Sequence, residues 1–81
     1  MALAALAWLL AEDRRAQRFL DLTGLTPDGL RAAIGEDHTH LAVLDFLCGY
    51  EPDLVGAAEA LGLDPAAIAA ARLRLVRGEG G

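Results

Sequence analysis

TGLTPDGL at residues 23–30 and LGLDPAAI at residues 61–68 are one device written twice. In each, a glycine (Gly24, Gly62) stands where a helix can close its last turn in the left-handed conformation. A leucine follows (Leu25, Leu63), then a good N-cap (Thr26, Asp64). Next comes a proline (Pro27, Pro65) at the first helical position, where its missing N–H costs nothing. Four residues beyond each cap, Leu30 and Ile68 are spaced to pack against Leu25 and Leu63 as hydrophobic staples. One helix stops and the next begins, at two places in the chain.

Working outward, the match extends without a gap at an offset of 38 residues. Residues 3–34 laid on 41–72 share nine identities, among them Leu6 with Leu44, Leu9 with Leu47, Gly24 with Gly62 and Pro27 with Pro65. Trp8 falls over Phe46, and Asp13 over Glu51. Because Ala and Leu are so common here, the Gly, Pro and staple positions carry the signal. This reads as a duplicated three-helix unit.

The expected helices run over about 2–11, 14–22 and 27–34, then 39–49, 52–61 and 65–77. Asp13 and Glu51 are expected to cap the second helix of each unit, with Pro52 at the first helical position. Apolar stripes agree with a 3.6-residue period: Ala16, Phe19 and Leu20; Leu54, Ala58 and Leu61; Ile68, Ala71 and Leu75. Strand signals are missing. The fold class is therefore all-α, a compact six-helix domain spanning 1–77, with unit one at 1–37, unit two at 38–77 and a tail at 78–81. Neither unit has enough apolar surface to stand alone, which gives two of them a reason to share one core.

Composition narrows function. The 81 residues are 54% hydrophobic but only 5% aromatic, so the core must be built from Ala, Leu, Ile and Val on closely packed helices. Net charge is −5, with no lysine, which argues against a nucleic-acid partner. Catalysis has little to work with: serine is absent, there is no glycine-rich phosphate loop, and no nucleophile and base stand at a recognisable spacing. No enzyme activity and no cofactor are expected. His38 and His40 lie one residue apart between helices and fall short of the four spaced ligands of a structural zinc site, so no metal is assigned. Cys48, the single cysteine, sits in the apolar run LAVLDFLCGY and reads as a small buried hydrophobe in a reducing compartment. Asp45, alone in that run, is expected to face solvent.

MALAALAWLLA at 1–11 is apolar throughout. It lacks the basic start and cleavage site of a signal peptide and is too short to span a bilayer, so it reads as the first helix of a cytoplasmic domain. A helix apolar all round is buried in the core or against a partner. A domain this small cannot cover Leu3, Leu6, Trp8, Leu9 and Leu10 together. These five are the candidate partner-binding residues, and the expected function is protein–protein interaction, with a second copy of the chain among the candidate partners. The alternative is a DNA-binding helix-turn-helix over 54–77, with Ala58, Gly62 and Ile68 at suitable spacing and Arg72, Arg74 and Arg77 to touch phosphates. Its would-be recognition helix, however, is expected to expose Asp64, Ala66, Ala67, Ala69 and Ala70, which offer no donors to base edges.

The pattern ALAWLLAEDRRAQRFLDLTGLTPDGLRAAI, followed by VLDFL and ALGLDPAAIAAAR, resembles a family of small alphaproteobacterial proteins of unknown function, DUF3572. The resemblance covers nearly the whole chain and is most specific in FLDLTGLTPDGLR and VLDFL. It implies a cytoplasmic bacterial protein and supplies no catalytic or binding residues.

Overall fold

The computed structural model describes residues 1–78. Of the expected tail only Gly78 falls among them. They form six helices and no strand: α1 (Ala2–Leu10), α2 (Asp13–Thr23), α3 (Pro27–Ala32), α4 (Asp37–Cys48), α5 (Glu51–Leu61) and α6 (Pro65–Val76). Every expected helix is present, with ends displaced by two residues at most.

Both repeated turns form as read. Gly24 and Gly62 take φ of 73° and 68°, the Thr26 hydroxyl accepts from the Gly29 N–H, and the Asp64 carboxylate accepts from the Ala66 N–H. The two closures nevertheless differ, and the cause is one residue. In the first, the Gly24 N–H reaches the Leu20 carbonyl at 2.9 Å, while the Leu25 N–H is taken by the Thr23 hydroxyl at 3.3 Å. That hydroxyl in turn donates to the Phe19 carbonyl at 2.9 Å. In the second, Leu61 stands in Thr23's place and has no hydroxyl. The Leu63 N–H therefore runs back to the Ala58 carbonyl at 2.8 Å, the six-to-one bond of a Schellman closure. Leu25 packs against the core beside buried Leu30, whereas Leu63 stays exposed while Ile68 is fully buried. The second staple is thus split between solvent and core.

The other expected caps shift by one residue. Glu12 and Tyr50 hold the extended N-cap positions, and neither makes a side-chain cap bond. Asp13 and Glu51 are instead the first helical residues, where a carboxylate interacts favourably with the positive end of the helix dipole. Pro52 consequently falls at the second helical position.

All six helices contribute to one core: Ala5, Leu6 and Leu9 from α1, Phe19, Leu30, then Val43, Leu44 and Leu47 from α4, Ala57 and Ala58 from α5, and Ile68. At its centre Phe19 meets Phe46 edge to face, with ring centroids 5.5 Å apart. The expected stripes on α5 and α6 face this core, as do Phe19 and Leu20 of the α2 stripe. The α5 face is broader than expected, since Ala57 and Asp53 are buried on it too.

Helix α4 packs against α1, α2, α5 and α6. Helices α4, α5 and α6 also pack on one another, closing a three-helix group. In the first half, α1 touches α2 but also packs extensively on α4 and α5, and six-residue α3 makes only slight helix contacts. The turn chemistry repeats along the chain; the packing of the two halves does not.

Two measurements follow. No atom lies within 4 Å of a Cβ added at Gly24 or Gly62, so replacing either by alanine strains only the left-handed backbone. Each is expected to lower unfolding free energy by about 1 kcal/mol in urea titration. Thr39 is 1% exposed and its hydroxyl has no hydrogen-bond partner. Thr39→Val, which keeps the shape and removes the unpaired group, is expected to raise stability by about 1 kcal/mol in the same titration.

Candidate functional site

The first helix divides into two faces. Ala5, Leu6 and Leu9 are buried; Leu3, Ala4, Ala7 and Leu10 are exposed. Leu3 and Leu10 keep 54% and 38% of their surface in solvent. Positions 3, 7 and 10 are spaced by four and then three residues, so they line one stripe along the helix. Because no residue of α1 is polar, its solvent side is as greasy as its core side.

Trp8 is removed from that surface from two directions. On one side it lies against α5 so closely that a Cβ at Gly56 would come within 2.9 Å of the indole. On the other, the Arg15 guanidinium sits 3.6 Å from the ring centroid, within cation–π range. The same side chain donates to the carbonyls of Trp8 and Leu9 and, at 3.1 Å, to the Glu12 carboxylate. Arg15 thereby places a positive charge at the negative end of α1, satisfies the Leu9 carbonyl and shares the Trp8 carbonyl with the Ala11 N–H.

Of the five candidate partner-binding residues, then, Leu6 and Leu9 are spent in the core and Trp8 is sandwiched between Arg15 and Gly56. The reason is geometric: at helical spacing they point inward, and α4 and α5 cover them. Leu3 and Leu10 remain at the surface. Ala7, exposed between them at helical spacing, completes the stripe; in so alanine-rich a chain only that spacing distinguishes it.

Beside Leu3 a groove of about 450 Å³ opens between the start of α1, the start of α4 and the end of α6. Ala2, Leu3, Leu44, Ala71 and Leu75 contribute apolar lining, with Asp37, His40 and Arg74 as its charged and polar residues. His38 and His40 lie not between helices, as expected, but in the first turn of α4, which starts earlier because Glu36 takes the N-cap; the His40 ring nitrogen is 2.8 Å from the Ile34 carbonyl, and His38 pairs with Glu36 at 3.1 Å. Among the described residues no three His, Cys, Asp or Glu side chains are grouped to hold a metal ion.

Elsewhere, charge ties helices together. Arg18 of α2 pairs with Asp53 of α5, whose side chain is only 11% exposed, and lies 5.0 Å from the rings of both Phe46 and Tyr50. Arg72 of α6 pairs with Asp45 of α4, and the hydrogen bond and charge of Asp45 raise its already high pKa. Asp45 faces solvent as expected. The three arginines of the DNA-binding alternative therefore have separate settings: Arg72 bridges to α4, Arg74 lines the groove, and Arg77 follows the last turn of α6. The first half of α6 exposes Ala66 and Ala70.

These features define a small all-α domain held by interhelical ion pairs, with one uncharged helix half out of its core. The chain belongs to the family described as "Protein of unknown function (DUF3572)", whose sequence model matches residues 1–78. No curated protein and no solved structure matches it. Among the described residues no single helix is long and apolar enough to cross a membrane.

Cys48 packs against the core as a half-buried side chain. Burial pushes its thiol pKa up, opposed by the charge of Arg72 and aided by that of Asp45. The thiolate is the reactive form, so alkylation by iodoacetamide is expected to be slow at neutral pH and to accelerate only above the pH at which a free cysteine responds. Labelling followed by mass spectrometry across pH checks this.

Proposed function

We propose that this chain is a protein-interaction module and that the outward face of α1 is its docking face. The observation carrying this reading is the exposed stripe Leu3–Ala7–Leu10 on the one helix of the six without a charged residue. A solvent-facing helix of a self-sufficient domain ordinarily carries charge on its outer side. Covering the exposed parts of the two leucines is worth about 1 kcal/mol each, enough to favour a partner once neighbouring surface joins the contact. The groove beside Leu3 extends the apolar surface and adds a polar rim, as protein interfaces have.

A second reading keeps one geometric point in its favour. Helices α5 and α6 are bent by 104° across the Gly62 turn, within the range of a helix-turn-helix. Against it stand the net charge of −5 and the alanines at the start of α6, which have nothing to offer a base edge.

The experiment compares immobilised wild-type chain with the Leu3→Glu/Leu10→Glu variant in native extract, after circular dichroism has shown both to be helical. Proteins retained by wild type and lost by the variant are the expected result. Retention that is the same on both surfaces overturns the docking face, and a salt-sensitive gel shift on DNA with no retained protein turns the reading to the helix-turn-helix.

A further inference from the structure

We infer that the occupant of the α1 face is a second copy of this chain, packed antiparallel across a two-fold axis at Ala7; the inference rests on α1 being the docking face. Two copies each carrying −5 repel one another, and at physiological salt that repulsion is felt only within about 8 Å. They can touch without opposing like charges only where neither presents any. Helix α1 meets that condition, because residues 1–11 contain no charged side chain.

The stripe is also its own complement. Turned antiparallel about Ala7, Leu3 of one copy meets Leu10 of the other, Ala7 meets Ala7, and Leu10 meets Leu3. The spacing of four and three is that of a helix–helix seam, and the small central residue lets the two axes approach closely. Such a contact is isologous, so it closes as a dimer and does not propagate.

At the two ends of the stripe charges of both signs meet. Arg74 and Asp37 line the groove beside Leu3. The antiparallel arrangement brings them toward the far end of α1 in the second copy, where Glu12, Asp13 and Arg14 are exposed, so a charge of either sign has an opposite one within the rim. The stripe is one face of a nine-residue helix, a contact at the small end of specific interfaces, so dissociation in the micromolar range is expected.

The test uses the full chain with Cys48→Ala, single cysteines introduced by Ala7→Cys, Leu3→Cys or Leu10→Cys, and Leu22→Cys as a control on a residue 74% exposed. Under mild oxidation Ala7→Cys is expected to form a disulfide-linked dimer much faster than Leu22→Cys. Leu3→Cys and Leu10→Cys are each expected to link slowly alone and rapidly when mixed. Sedimentation of the chain retaining Cys48 should show a concentration-dependent dimer that Leu3→Glu abolishes and Arg74→Glu weakens. A monomer through the millimolar range overturns the second copy, as does linkage of Leu3→Cys alone as fast as the mixture, or of Ala7→Cys no faster than the control. If the chain is monomeric yet retains other proteins through Leu3 and Leu10, only this inference fails; if retention ignores those residues, the docking face fails with it.

Discussion

Everything in this molecule leans on α4. Val43, Leu44 and Leu47 are buried on it, and four of the other five helices pack against it. A chain of 81 residues has few side chains to spend on a core. Placing one apolar helix where it can be shared by α1, α2, α5 and α6 makes each buried leucine count toward several contacts. Such economy sets the rest: short helices, tight capped turns and alanine wherever backbones must approach. Two ion pairs between sequence-distant helices, Arg18 with Asp53 and Arg72 with Asp45, fasten the rim.

Much of this is legible in the sequence. The glycine and proline of each triplet place the starts of α3 and α6 to the residue, because a left-handed glycine followed by a first-turn proline marks one helix ending and the next beginning. Periodicity placed Phe19, Ala58 and Ile68 in the core. Asp13 and Glu51 stand one position beyond the expected cap, because a carboxylate favours both the cap and the first turn and composition cannot separate the two. The closing difference between Thr23 and Leu61 was visible as a substitution but not as a change of hydrogen-bond pattern.

The candidate site was less legible. Sequence showed that α1 is too apolar to be wholly buried, but not which side would be covered. That choice is made by α4 and α5, far along the chain, and it is why Leu6 and Leu9 belong to the core while Leu3 and Leu10 do not. Arg15 over Trp8 and Arg18 beside Asp53 were equally hidden. An arginine on a helix exterior looks the same in sequence whether it faces water or spans to another helix.

The placement of α1 also bears on how the chain is made. Its covering partners, α4 and α5, are encoded in the second half, whereas α4, α5 and α6 touch one another directly. Synthesis runs from the amino end, so α1 is made before the helices that cover it, and its core face stays open until some fifty further residues have followed. The second half, whose three helices touch one another directly, thus supplies the surface on which α1 comes to rest.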